Sequence, residues 1–247
     1  MTDLKNFQYL RVQLDTNTRV ATLSMNFERE NRLSLALMAE LHEALDALES
    51  DDGAGALVFT GGDPKFFSNG LHLDWLMQKV AEPTAVVDYL QRINNLFHRV
   101  TLYPKPTVAA LNGHTFAAGA FLAAHMDFRL MREDRGWVCL PEVDINIPLL
   151  PGMIAICQAI LPPQGFRQLY YTGKRFTAPE AKILGYVDQV CAEADLLPTA
   201  RSMAALLAQK RTRTYAEMKR RIRGEVARIL VEEDPQHFAS TLSLAMG

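Results

Sequence analysis

The chain is poor in cysteine: three in 247 residues. Cys139, Cys157 and Cys191 stand in no metal-ligand spacing, and an odd, scattered set is no disulfide framework. The expectation is a reducing compartment with all three thiols acting as small core hydrophobes. None has both a His partner and a turn that would mark a nucleophile. An excess of charge of one sign is also missing. The 26 Lys and Arg against 28 Asp and Glu leave a net −2, which gives no basis for a nucleic-acid partner. No apolar run approaches the ~20 residues of a membrane span. The start Met1-Thr2-Asp3-Leu4-Lys5-Asn6 has neither a signal-peptide apolar stretch nor an Arg-rich transit pattern, and Leu244-Ala245-Met246-Gly247 is not a peroxisomal address. The expected location is the cytoplasm, with no membrane partner.

What is present is a core-forming composition, 49% hydrophobic, enough for one large domain or a domain with an appendage. Tyr9 to Leu14 and Arg19 to Ser24 alternate apolar and polar residues around a polar Asp15-Thr16-Asn17-Thr18 turn, the pattern of a hairpin. Leu33 to Leu48 carries Leu37, Leu41, Ala44, Leu45 and Leu48 at helical spacing behind Ser34 as N-cap. Ala56 to Thr60 reads as a buried strand stopped by Gly61-Gly62-Asp63-Pro64. The pattern then recurs: a helix over Val86 to Val100, a strand over Thr107 to Leu111, an Asn112-Gly113 turn, a small-residue helix near Ala117 to His125, and a strand over Asp127 to Met131. Strands alternating with crossover helices imply an α/β fold. From about Leu149 helices dominate: Gln164 to Tyr171, Ala178 to Leu184, Leu196 to Gln209, and Thr214 to Val231 interrupted by Gly224. The later helices suit packing on another subunit.

Chemistry concentrates in one residue. Glu142, in Leu140-Pro141-Glu142-Val143-Asp144-Ile145, is a carboxylate in an otherwise apolar segment, where lost hydration raises its pKa toward the range useful for moving protons. Upstream, Phe66-Phe67-Ser68-Asn69-Gly70-Leu71 and Asn112-Gly113-His114-Thr115-Phe116-Ala117-Ala118-Gly119 are small-residue turns whose backbone N–H groups could hold an oxyanion. Both follow a strand and precede a helix, where open α/β folds place ligands. Asp144 reads as a turn or capping residue, Asp127 as a structural hydrogen-bonding group, and His72 and His114 as core or pocket lining. Lys210-Arg211-Thr212-Arg213 and Lys219-Arg220-Arg221-Ile222-Arg223 read as a solvated helix face.

Four segments occur in an order and spacing that resemble the crotonase superfamily, the enoyl-CoA hydratase/isomerase fold, across most of residues 8 to 192. They are Lys65 to Leu73, Asn112 to Asp127, Leu140-Pro141-Glu142-Val143, and Thr172-Gly173-Lys174-Arg175-Phe176-Thr177-Ala178-Pro179-Glu180-Ala181 with Leu184-Gly185-Tyr186-Val187-Asp188. Glu142-Val143-Asp144-Ile145 is most similar to the isomerases that move a double bond from C3 to C2 of an enoyl-CoA. The resemblance implies repeated ββα units, with residues 1–192 as the core domain and 193–247 as a helical region for oligomerisation that covers the acyl-CoA site. It implies a homotrimer or homohexamer, and an acyl-CoA substrate whose thioester carbonyl is held by the N–H groups of Leu71 and Ala118. It further implies CoA contact by Ser68, Asn69 and Gly70, with no metal and no cofactor beyond the coenzyme A carried by the substrate. Arg32 is a candidate for the CoA phosphates, and Leu76 and Phe121 for the acyl tunnel.

Three positions depart from the family pattern. Phe121 stands where hydratases carry a second glutamate, Leu71 replaces a usual small residue, and Ala118 replaces a common glycine; both donor N–H groups survive. One base suffices to move a proton from C2 to C4, whereas hydration also needs a polarised water. The expected activity is therefore enoyl-CoA isomerisation with Glu142 as proton shuttle. The alternatives are hydration or another crotonase-type reaction, and non-catalytic acyl-CoA binding.

Overall fold

The computed structural model of the chain describes residues 2–246, and side chains as far as Thr241; Met1 and Gly247, which bound the two terminal segments read above, lie outside the described residues. A seven-stranded sheet runs in the order β1 (Thr2–Asn6), β2 (Leu10–Asp15), β3 (Val20–Met25), β4 (Ala56–Gly61), β6 (Thr107–Leu111), β8 (Phe128–Arg132), β10 (Gln189–Cys191). A second sheet holds β5 (Phe66–Ser68), β7 (His114–Phe116) and β9 (Val138–Cys139). The first three strands of the large sheet are antiparallel and the rest parallel. The expected hairpin is β2–β3: Leu10, Val12 and Leu14 face the core, and the Asp15 carboxylate accepts from the Asn17 N–H at 3.0 Å to close the turn.

Helices follow the strands: α1 (Leu35–Ser50), α2 (Leu73–Gln78), α3 (Pro83–Thr101), α4 (Ala118–His125), α5 (Pro151–Ile160), α6 (Pro163–Tyr171), α7 (Ala178–Leu184), α8 (Glu193–Leu207), α9 (Thr212–Glu232) and α10 (Asp234–Met246). Ser34 caps α1 as its position predicts, its Oγ accepting from the Leu37 N–H at 3.1 Å. The ββα repeat is visible in the strand pairs. Each of β4–β5, β6–β7 and β8–β9 gives one strand to the large sheet, the next to the small sheet, and then leads into helix. All three cysteines are buried and free.

The helical C-terminal region packs on its own chain. Leu196, Ala200, Ala204 and Ala208, on and just after α8, cover one sheet face through Val20, Ala56, Val58, Val108, Ala110 and Leu130. The opposite face meets α1, α3 and α4 in the larger core. Two expectations about α9 are corrected. Lys219 is not solvated: it is 5% exposed, its Nζ lies 2.8 Å from the Asp127 carboxylate, and it donates to the Tyr103 carbonyl at 2.9 Å. Arg223 likewise donates to the His125 carbonyl at 2.6 Å. These two cations pin α9 to the start of β8, so a basic run on one helix is divided between solvent and anchor. Gly224 does not interrupt α9, because one helical glycine costs only about 1 kcal/mol. A Cβ there would meet nothing within 4 Å. Gly224→Ala is expected to stabilise by about 0.5–1 kcal/mol, read as a higher urea midpoint at unchanged slope. No helix among the described residues is long and apolar enough to cross a membrane.

Candidate active site

The small sheet positions the site. Its three parallel strands align Ser68 with Thr115, Thr115 with Val138, and Phe116 with Cys139. Their chains therefore emerge side by side: β5 into Asn69-Gly70-Leu71, β7 into Ala117-Ala118, and β9 into Leu140-Pro141-Glu142. The first two tips are in direct contact. Gly70 adopts φ +86°, and a Cβ on it would sit 2.9 Å from the Phe116 carbonyl and 3.1 Å from the Ala118 nitrogen. A Cβ on Gly119 would meet the Ser68 carbonyl at 2.6 Å. Glycine is required at both points because backbone passes against backbone.

At Ala117 the chain takes φ 49° and ψ −127°, a region costing a non-glycine residue on the order of 1–3 kcal/mol. The strain is held from both sides. The Ala117 N–H extends the β7–β9 ladder to the Cys139 carbonyl at 3.0 Å, while its own carbonyl starts α4 by accepting from Ala120 and Phe121 at 2.8 and 3.1 Å. The Ala118 N–H, at the positive end of α4, donates to no backbone carbonyl among the described residues. The same is true of Leu71, whose neighbourhood is fixed by Leu33 N–H to Gly70 carbonyl (2.8 Å) and Leu73 N–H to Leu71 carbonyl (2.9 Å). Leu71 and Ala118 line one cavity of about 200 Å³ together with Glu142.

Glu142 enters through a turn in which the Pro141 carbonyl accepts from the Asp144 and Ile145 N–H groups and the Glu142 carbonyl from Ile147. The residue is 8% exposed, and its Oε2 is buried with no hydrogen-bond partner among the described residues. Burial pushes its pKa up to about 7 from an ordinary 4.5, against a smaller lowering by its own backbone N–H. Among the described residues it is the one ionisable side chain lining the cavity. A carboxyl near neutrality beside two N–H donors can exchange a proton with carbon while an oxyanion is held.

Asn69 also lines the cavity, its Nδ2 donating to Glu30 at 2.9 Å. The other site expectations fall elsewhere. Ser68 is fully buried and donates to the Asn31 carbonyl at 2.7 Å, and Gly70 serves the contact between turns. Phe121 is fully buried in the core and does not line the cavity: every residue of α4 is buried, and only its first residue meets that space. Leu76 packs at the margin of the same core, also off the cavity wall. Arg32 has its guanidinium taken by Glu30 at 2.8 Å and by Asp74. Asp127 accepts from the Thr107 N–H at 2.9 Å in a structural role, and Asp144 is an exposed turn residue. His114 stacks on Trp137 at 4.8 Å, and His72 meets Phe27 edge-on. Neither lines the cavity.

Residues not singled out from sequence complete the wall. Phe116, Leu90, Ile93, Ile147, Leu150 and Met153 make it apolar, and Asn94 and Thr241 add polar groups. Asn94 carries a legible signal, a polar residue on the apolar face that Leu90, Ile93 and Phe97 define; Thr241 carries none.

The sequence profile of the family described as Enoyl-CoA hydratase/isomerase matches residues 15–241. A Thermus thermophilus protein named "Putative enoyl-CoA hydratase" is 36% identical over 185 residues, 74% of this chain and 71% of its own. The Arabidopsis thaliana enoyl-CoA delta isomerase 2, peroxisomal, is 30% identical over 217 residues, 84% of this chain and 90% of its own. The crystal structure of human mitochondrial delta3-delta2-enoyl-CoA isomerase superposes with a TM-score of 0.90, covering 96% of this chain and 92% of that one at 24% identity, a likeness of fold. With the repeated strand pairs and the profile agreeing over most of its length, the chain belongs to the enoyl-CoA hydratase/isomerase family and has its crotonase-type fold.

Proposed function

We propose that the protein is an enoyl-CoA isomerase that moves a C3 double bond to C2 of an acyl-CoA thioester. The observation that carries this reading is the pairing of one ionisable side chain, Glu142, with Leu71 and Ala118 on one otherwise largely apolar cavity wall. In this reading the thioester oxygen accepts from the Leu71 and Ala118 N–H groups. The Glu142 carboxylate takes the C2 proton, and the C–H electron pair becomes the C1=C2 bond of a dienolate whose charge rests on the held oxygen. Glu142 then returns the proton to C4: the C3=C4 pair takes it, the C1=C2 pair moves to C2–C3, and the carbonyl reforms. The proton count balances, and the route uses no cofactor beyond the substrate's own coenzyme A.

The hydratase name of the Thermus relative keeps hydration as a second reading. Hydration needs a water held and polarised, and Phe121, apolar and fully buried, does neither. The two readings separate when 3-hexenoyl-CoA is incubated in deuterated water beside an assay of crotonyl-CoA hydration. The expected result is double-bond migration with substrate hydrogen appearing at C4, and little hydration. Rapid hydration without migration would replace the isomerase reading, and tight thioester binding without turnover would favour a non-catalytic binder.

A further inference from the structure

One polar group on the cavity wall has no role in the proton shuttle. Where α3, α5 and α10 meet, the Asn94 amide nitrogen donates to the Leu230 carbonyl at 3.0 Å and to Asp234 Oδ2 at 2.8 Å. Asp234 Oδ1 accepts from the Gly152 N–H at 2.7 Å. Two acceptors around one nitrogen fix which end of the amide is which. The oxygen is left over: Asn94 is 1% exposed, and its Oδ1 is buried with no hydrogen-bond partner among the described residues. A buried acceptor without a donor is destabilising and uncommon in native proteins. Asp234 is wholly buried, with each carboxylate oxygen already engaged. Thr241, seven residues further along α10 and so on the same helix face, is a lining residue of the same cavity as Asn94 and carries a hydroxyl.

We propose that Asn94 and Thr241 select acyl chains carrying a hydroxyl on the part that reaches this wall. The inference rests on the reading above only in taking the cavity as the acyl site of a CoA thioester. A hydroxyl is the donor that fits. It can donate to the Asn94 oxygen and accept from Thr241, whereas an ammonium would be buried among Leu90, Ile93, Leu150 and Met153 at a far larger desolvation penalty. A purely aliphatic chain passes the same wall and leaves the acceptor unpaired. A pocket discriminates most strongly against a ligand lacking a group its buried polar atoms require.

The test uses ω-hydroxyacyl-CoAs of six, eight and ten carbons against the unsubstituted chains, which places the hydroxyl at three depths. Kd comes from calorimetry with the saturated thioesters, and kcat/KM from the matching 3-enoyl-CoAs. At one length the wild type is expected to favour the hydroxylated chain by roughly tenfold or more. Asn94→Leu should reverse the preference toward the plain chain, and Thr241→Val should weaken it. Should Asn94→Leu fail to fold, the wild-type preference and Thr241→Val still decide. Equal or tighter binding of the plain chain at all three lengths overturns the proposal, and would mean that the Asn94 oxygen is served by water. Hydroxyl preference in Kd without isomerisation of any chain would sink the isomerase reading and leave this one standing. Isomerisation without the preference does the reverse, and failure of every thioester to bind sinks both.

Discussion

Glu142→Gln is expected to lower double-bond migration by about three orders of magnitude or more, while acyl-CoA binding survives and the protein becomes more stable above neutrality. The activity loss follows from the proposed chemistry. General acid–base groups contribute about 10²–10⁴ to rate, and here one carboxylate both removes and returns the proton. An amide of nearly the same shape keeps the wall and does neither. The stability gain follows from burial. The Glu142 carboxyl has its pKa pushed up to about 7 in the folded chain against an ordinary 4.5. Below pH 4.5 both folded and unfolded chains hold the proton and no penalty exists. Between 4.5 and 7 the unfolded chain releases a proton that the folded chain retains, so stability falls as pH rises. Above 7 the folded chain carries the full penalty of a buried carboxylate, about 3 kcal/mol by linkage. Gln escapes it. The advantage of the variant in urea unfolding should be near zero at pH 4 and approach that figure at pH 8. In the wild type, kcat/KM should fall about tenfold per pH unit below 7, because the free enzyme must carry the base ionised. Full activity in Glu142→Gln, or a flat profile from pH 5 to 8, would put the base elsewhere.

Gly119→Ala should produce the next largest change. The added Cβ lands 2.6 Å from the Ser68 carbonyl and 2.7 Å from the Ser68 Cβ and Oγ. Neither neighbour yields easily: one is backbone, and the other is a fully buried side chain held at 2.7 Å to the Asn31 carbonyl. The start of α4 and the turn after β5 must therefore separate, which changes the spacing between the Ala118 and Leu71 N–H groups. Overpacking of this kind costs about 1–3 kcal/mol. Loss of one oxyanion donor lowers kcat by about 10²–10³, and a misplaced pair should approach that. Gly224→Ala, made in open space, is the control for the glycine-to-alanine change itself. A Gly119→Ala protein that loses stability but keeps kcat would show that the contact between the turns does not set donor spacing.

How much of this was legible in the chain depended on how much structure each residue's neighbours in sequence could report. Strands β2, β3, β4, β6 and β8 and helices α1 and α3 announce themselves because each runs five or more residues with apolar positions at a regular spacing. The small sheet, whose strands run two or three residues, offers no period to detect, although it aligns the whole site. Glu142 stood out because its sequence neighbours are apolar. For Phe121 a resemblance locates the position but not the way it faces, and α4 is buried on every side. The ion pairing of Arg32 is hidden for a related reason: Asp74, which helps to occupy it, is forty-two residues away in sequence. Asn94 was visible as a polar residue on an apolar stripe, yet its partner Asp234 lies 140 residues on, so only folding reveals which end of the amide is spent.

The link from Gly152 and Asn94 to Asp234 also bears on how the protein is made. Glu142 and the N–H groups of Leu71 and Ala118 leave the ribosome more than ninety residues before Asp234 does. A growing chain thus holds these three cavity-lining residues before the α10 side of the same cavity exists. A polypeptide that stopped ahead of α10 would leave the Gly152 N–H without its carboxylate acceptor, the Asn94 amide short of one partner, and the cavity without the Thr241 part of its wall.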